Sequence, residues 1–234
     1  MSTATSADVA SVIATSRYVL LDFDGPICSI FAGLHAPVIA DELRRVLTRH
    51  RVAIPDEIAA QGDPLEVLRF AGTIDGNVAL DIEQTLRAAE LQAADSAAPT
   101  PGAHEFLSAC RTTGRPVAVV SNNSPQAVAR YLDRANLVGL VQHIEGRDPS
   151  DPALMKPNPA LLHRALSALH GAPASTVLIG DSRSDFEAAH TAGTQAIAYA
   201  NKPGKAQALT TAGATAVVDS MAQLALVTAH TFSR

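Results

Sequence analysis

The sequence predicts an α/β fold in which a parallel sheet is flanked by helices and carries an inserted helical domain. Three observations predict it. Short apolar runs recur at 18–21, 117–120, 176–179, 196–199 and 216–218, with a weaker one at 141–144. Helical patterns at 125–135, 159–170, 184–192 and 221–229 alternate with them. Alternating strands and helices favour parallel pairing with the crossover helices on both faces. Between 28 and 98 the alternation stops, and only helix-like patterns occur.

Taken in order, Tyr18-Val19-Leu20-Leu21 is a continuous apolar run. Such a run suits a strand covered on both faces of a parallel sheet. It ends in Asp22-Phe23-Asp24-Gly25, two carboxylates at a glycine turn. Helical patterns then follow at 38–49, 64–70 and 78–94, punctuated by Pro37, Pro55, Gly62, Pro64, Gly72 and Gly76. Gly25-Pro26 and Pro99-Thr100-Pro101-Gly102 bracket the stretch, and a helix at 103–111 resumes the main pattern. A helical insertion at an exposed strand–helix junction is expected, since such junctions tolerate added chain. The expected division is a core of residues 1–27 and 99–234 and an insert of 28–98.

Composition narrows the function. The chain has 234 residues, 47% of them hydrophobic, enough for a sizeable core. A net charge of −5 offers no clustered positive stripe for a nucleic-acid backbone. Aromatics at 4% and the absence of Trp argue against base-stacking platforms. Cys28 and Cys110 make no disulfide framework, and no Cys/His cluster has zinc spacing. Residues 1–16 lack the basic start and apolar run of a secretory signal, and no segment has the length of a membrane span. The expectation is a cytoplasmic protein with a small-molecule partner and no nucleic-acid or membrane partner; oligomeric state stays open.

Loops that follow the C-terminal ends of parallel strands share one rim. Asp22-Phe23-Asp24, Ser121-Asn122-Asn123 and Gly180-Asp181-Ser182-Arg183-Ser184-Asp185 each follow such a run. Lys156-Pro157-Asn158-Pro159 opens the helical pattern between the second and third of these motifs. Like charges as close as Asp22 and Asp24 repel unless a cation or proton separates them. A carboxylate can attack phosphorus, and a second can protonate the leaving oxygen and then activate water. With Asp181 the carboxylates form an all-oxygen set suited to Mg²⁺. The Ser121 hydroxyl and the N–H groups after it, with Asn122, are candidate phosphate contacts, and Lys156 would neutralise the remaining charge. The chain has only three lysines, Lys156, Lys202 and Lys205, which singles out Lys156 between its prolines.

Asp22 and Asp24 could be turn carboxylates, and Asp181 the N-cap of the next helix. Ser124 is a better cap than Ser121 for the helix near Pro125. Asp185 reads either as part of the site or as a first-turn helix charge. His35, near the exit into the insert, is a candidate substrate contact, against the commoner outcome of a partly exposed histidine. Arg44, Arg45, Arg49 and Arg69 could read an anionic group but more often form solvated faces. Asn201-Lys202-Pro203-Gly204-Lys205 lacks a phosphate-loop pattern and reads as a turn.

The four motifs, in this order and context, resemble the haloacid dehalogenase superfamily, whose members are mostly phosphatases. Asp22-Phe23-Asp24-Gly25, Ser121, Lys156-Pro157-Asn158-Pro159 and Gly180 to Asp185 match its motifs over residues 18 to about 220. The resemblance implies a Rossmann-like core and an inserted helical cap of the C1 type. It implies Asp22 as nucleophile and Asp24 as general acid/base. Asp22, the backbone carbonyl of Asp24 and Asp181 would hold Mg²⁺, with Asp185 acting behind them or through water. The superfamily's dehalogenases lack the second Asp and its phosphonatases have Ala there, so Asp24 implies a phosphoester substrate. Position 26 departs from the family, with Pro in place of the usual Thr or Val. The expected activity is a Mg²⁺-dependent phosphatase of a small phosphorylated metabolite, passing through an aspartyl-phosphate. The alternatives are a sugar phosphomutase using the same site and, further off, a non-catalytic binding protein.

Overall fold

A computed structural model describes residues 6–231 of the chain; residues 1–5 and 232–234, parts of the expected core, the former also of the segment read for a leader, lie outside that range. The chain opens with helix α1 (Ser6–Thr15), then strand β1 (Tyr18–Leu21), which ends at the two aspartates. Strand β2 (Cys28–Ser29) leads into helices α2 (Ala36–Arg49), α3 (Asp56–Ala59), α4 (Pro64–Gly72) and α5 (Gly76–Ser96). Strand β3 (Ala98–Pro99) leads back to α6 (Ala103–Thr112), β4 (Val117–Val120), α7 (Pro125–Arg134) and β5 (His143–Glu145). The rest runs α8 (Ala160–Ala168), β6 (Thr176–Gly180), α9 (Arg183–Ala192), β7 (Gln195–Tyr199), α10 (Lys205–Thr211), β8 (Ala216–Val218) and α11 (Met221–Ala229).

Six strands form one sheet in the order β5-β4-β1-β6-β7-β8, with every pairing parallel. The expected fold class is the observed one. Side chains alternate across a strand, so each strand feeds two cores. Val19 and Leu21, Val117 and Val119, and Val177 and Ile179 face one cluster with α1, α6, α7 and α11. Leu20, Ala118, Val120 and Leu178 face the other, with α8, α9 and α10. Covering on both faces explains why these runs carry no polar alternation.

The apolar run expected at 141–144 pairs instead over His143–Glu145, and the expected helix at 159–170 is Ala160–Ala168. Helix α1 was not expected. Ser, Thr and Ala dilute its pattern, yet Val9, Val12 and Ile13 fall on one buried face. Arg115, buried at the far side, closes the end of α1 by donating from Nε to the carbonyl of Ser16 (3.0 Å) and from Nη2 to that of Ile13 (3.2 Å).

The expectation of no strand between 28 and 98 needs correcting at its edges. Cys28 pairs with Pro99 and Ser29 with Ala98 in an antiparallel ribbon. Two residues a side give too short a pattern to read from sequence. The ribbon ties together the two connections between the sheet and the helices α2 to α5. Those helices enclose a hydrophobic cluster of their own, with Ile39, Leu43, Leu68, Ile82 and Leu86 at its heart and Met155 reaching in from the other side. Helix α5 belongs to both cores: Ala89 lies in this cluster and Ala93 and Ala94 in the main one.

Gly102 precedes α6 with φ +88°, a conformation that side chains disfavour. A Cβ there would stand 2.1 Å from the backbone nitrogen of Ala222 in α11. Gly102→Ala should therefore cost roughly 3 kcal/mol of stability. Urea denaturation checks this, and a midpoint equal to that of the parent protein would show that the two helices are not held this closely.

Candidate active site

The rim at the C-terminal ends of β1, β4 and β6 carries the acidic and polar loops. Asp22 follows β1 directly, its N–H donating to the carbonyl of Ile179 (2.9 Å), so the strand pairing itself sets its place. Ser121 follows β4 and donates its N–H to Glu145 (2.9 Å) at the end of β5. Asp181 follows β6. These loops face a cavity of about 770 Å³, whose walls include Asp22, Asp24, Ser121, Asn122, Lys156 and Asp181. The helical segment supplies the opposite wall, with Phe31, Pro37, Asp63, Glu66 and Arg69.

Lys156 joins three loops at one atom. Its Nζ donates to Asp22 Oδ1 (2.8 Å), Asp185 Oδ1 (2.6 Å) and the carbonyl of Val120 (2.9 Å). An ammonium has three donors, and all three are used. Lys156 is 2% exposed, so this charge lies out of water. Burial alone pulls the lysine pKa down, but Asp185 and Asp22 outweigh it and hold the group charged. Asn122 fixes the loop by its amide. It accepts from Lys156 N–H (2.8 Å) and donates to the Lys156 carbonyl (3.0 Å), which also accepts from Arg69. Asn122 lines the cavity, but its side chain is engaged in holding Lys156.

Asp185 is fully buried. Its Oδ2 accepts from Ser182 Oγ (2.6 Å), Ser182 N–H (3.0 Å) and Asp181 N–H (3.2 Å). The helix cap at α9 is Ser182, in a capping box with Asp185, and not Asp181. Asp181 is thereby left free to face the rim. Gly180 has no room for a side chain, since a Cβ would lie 2.5 Å from Asp185 Cγ. Gly25 is constrained twice, by φ +106° and by Asp181, 2.6 Å from where its Cβ would be. Pro26 is buried in the same turn, which Gly25 N–H closes onto the carbonyl of Cys28 (2.7 Å).

Asp24 accepts from the N–H of Ile30 (3.0 Å). Its pKa is raised to about 6, burial being the main cause and the Ile30 bond opposing it. Such a carboxyl can give and take a proton near neutrality. Burial also pushes Asp22 well up, with Asp185 adding to it and Lys156 opposing. Asp181 is raised by burial against the pull of Lys205. The carboxylates are thus in excess of the cations around them. Oxygens of Asp22, Asp181 and Asp185 lie within 4.8 Å of one another, an all-oxygen donor set that fits a hard divalent cation. Asp185 is the least available of the three, because Lys156, Ser182 and Asp181 already use its oxygens.

Some expectations change. His35 is exposed and precedes α2; its neighbours Ala36 and Pro37 line the cavity, and His35 does not. A histidine one residue before a helix start projects by local turn geometry, which sequence position alone does not give. Arg44 points into its own segment, donating to the carbonyls of Ile58 (3.3 Å) and Gln61. Of the four arginines considered, Arg69 reaches the cavity. The turn at 201–205 holds more than expected. Lys205 Nζ lies 2.7 Å from Asp181 Oδ2, and Asn201 donates to the same oxygen (2.9 Å). The scarcity of lysine that singled out Lys156 applies equally to Lys205 and could have found it.

Six parallel strands with an acidic rim under a helical segment define an α/β protein whose ligand site lies at the strand ends. The family model for haloacid dehalogenase-like hydrolases matches residues 53–199, and the chain belongs to that family. The matched span holds Ser121, Lys156, Asp181 and Asp185, while Asp22 and Asp24 precede it. The chain is 28% identical over 217 residues to a phosphoglycolate phosphatase of Pseudomonas fluorescens, a match covering 89% of this chain and 78% of that protein. It is 40% identical over 129 residues to a plasmid phosphoglycolate phosphatase of Cupriavidus necator, covering 53% of each chain, about half the length of that relative. In fold it resembles a predicted phosphatase from Clostridium acetobutylicum, with TM-score 0.70, 19% identity, and 90% and 97% of the two chains covered.

Replacing Lys156 by Met would leave Asp22 and Asp185 buried without their shared cation. Breaking a buried charge cluster in this way costs about 3–5 kcal/mol. Denaturant unfolding of Lys156→Met at neutral pH should show that loss. A loss below about 1 kcal/mol, the range of an exposed pair, would mean the ammonium does not sit between the two carboxylates.

Proposed function

We propose that this protein is a Mg²⁺-dependent phosphatase that hydrolyses a small phosphorylated metabolite through an aspartyl-phosphate on Asp22. One observation carries the reading: Asp22 opens onto the cavity while Lys156 fixes one of its oxygens, with Ser121 and Asp181 in the same walls. A carboxylate held in place this way is oriented for attack with little further ordering.

In the first step a carboxylate oxygen of Asp22 forms a bond to phosphorus as the bond to the leaving oxygen breaks. Asp24 gives that oxygen its proton. In the second step Asp24, now a carboxylate, takes a proton from water as the water oxygen attacks phosphorus. The bond to Asp22 breaks, inorganic phosphate forms and Asp22 is restored. The Ser121 hydroxyl would donate to a phosphoryl oxygen, and the Lys156 ammonium, its three donors already engaged, would offset phosphoryl charge through space. Asp22, the Asp24 carbonyl and Asp181 are the residues that would hold Mg²⁺, with Asp185 behind them. When bound, the ion would offset phosphoryl charge as a Lewis acid.

The helical segment 28–98 acts in this reading as a cap that shields the reaction from water and selects the leaving group. A cavity of this size, walled in part by the helical segment, favours a metabolite over a macromolecule. The names of the curated relatives make 2-phosphoglycolate the first substrate to test. We place the protein in the cytoplasm, a reading supported by two buried, unpaired cysteines. No helix of the described residues is long and apolar enough to cross a membrane.

Asp22→Asn should abolish turnover while the protein still folds, because it removes the nucleophile, adds no bulk and leaves Asp185 to pair with Lys156. Phosphate release from 2-phosphoglycolate and a panel of phosphomonoesters is the assay. Activity near the parent level in this variant would refute the assignment. Excess chelator should silence the parent enzyme and added Mg²⁺ restore it, whereas chelator-resistant release would contradict the metal role. Free phosphate should appear in step with substrate loss; interconversion of two sugar phosphates without it would mark a mutase.

A further inference from the structure

A second buried charge cluster lies outside the cavity. Glu90 on α5 is fully buried and accepts four hydrogen bonds. Its Oε1 accepts from Asn123 Nδ2 (3.0 Å) and Arg147 Nη1 (2.7 Å). Its Oε2 accepts from Ser124 N–H (3.0 Å) and Arg147 Nη2 (3.0 Å). Arg147, 2% exposed, also donates to Glu83 Oε1 (3.3 Å) and to the carbonyl of Asn122 (3.0 Å). Glu90 stands where α5 passes from the cluster of the helical segment into the main core.

The pair is aimed at the loop that carries Ser121. Asn123 is nearly fully buried, and its Oδ1 accepts from Ser121 Oγ (3.1 Å) while its N–H donates to the same Oγ (3.1 Å). A carboxylate only accepts, so Glu90 draws the Asn123 NH₂ group towards itself. The amide oxygen must then face Ser121. The orientation of one amide thus fixes the place of the Ser121 oxygen, which Asn123 N–H holds while the hydroxyl proton rests on Asn123 Oδ1, from where it must turn to meet a phosphoryl oxygen. A buried Arg–Glu pair carries a heavy desolvation cost and is weak evidence of stability gained. Here it specifies an orientation.

We propose that Glu90 is a positioning residue for Ser121, acting through Asn123 and held by Arg147. The helical segment thereby grips the phosphate-contacting loop directly, without touching substrate. The proposal rests on the phosphatase reading and deepens it.

A double-mutant cycle tests it, using phosphate release from the best substrate of the panel. Glu90→Gln and Asn123→Ala should each lower kcat/KM about tenfold, mainly in kcat, as expected for a misplaced catalytic contact. In a Ser121→Ala background the same changes should cost less than about twofold, because the group they position is gone. Equal losses in both backgrounds, or none in either, would overturn the proposal and leave a purely structural latch. Asn123→Ala keeps the Glu90–Arg147 pair, so it decides the matter if Glu90→Gln does not fold. A parent protein that releases no phosphate would sink the functional reading instead. The same cycle read by calorimetric affinity for inorganic phosphate in Mg²⁺ buffer then decides the proposal: coupled losses support it and additive losses end it.

Discussion

The structure depends on a lysine ammonium buried between two carboxylates. Lys156 Nζ bonds Asp22 after β1, Val120 in β4 and Asp185 in α9. A cation out of water is tolerated only with every donor matched and a counter-charge at hand. That requirement ties three separate parts of the chain to one point. It also leaves Asp22 with one oxygen occupied and the other able to face the cavity.

The sheet makes this meeting possible. β1 is central, with β4 and β6 as its neighbours, all parallel. Their C-terminal ends fall on one rim, where ligands bind in open α/β sheets. Strands covered on both faces are rigid supports, and the loops beyond them inherit that order. The glycines at 25 and 180 then permit approaches that any side chain would block. The excess of acid over base at the rim remains the local cost, and it makes the place hospitable to a divalent cation and a phosphoryl group together.

Much of this was legible because the signals were local. Each apolar run and its terminal carboxylate, hydroxyl or glycine lay within about six residues, so motif and strand end were read together. The six-stranded parallel class followed from the alternation of runs and helices. What escaped was set by tertiary contact. Helix α1 hides a three-residue apolar stripe among small polar residues. The β2–β3 ribbon joins residues about seventy apart with two residues on each side. Lys205 reaches Asp181 across a turn whose own pattern was unremarkable. Glu90 and Arg147 are ordinary charges in sequence, 57 positions apart, and gain meaning only when buried against each other. His35 shows the converse, a residue near the entrance in sequence that folding leaves on the surface.

The central claim is that the Asp22 carboxylate itself receives the phosphoryl group. Acid-quenched single-turnover mixtures, digested and read by mass spectrometry, test it most directly. The account predicts a phosphoryl mass increment on the peptide carrying Asp22, released by hydroxylamine as an acyl phosphate should be. A turning-over enzyme whose increment sits on another residue would contradict it.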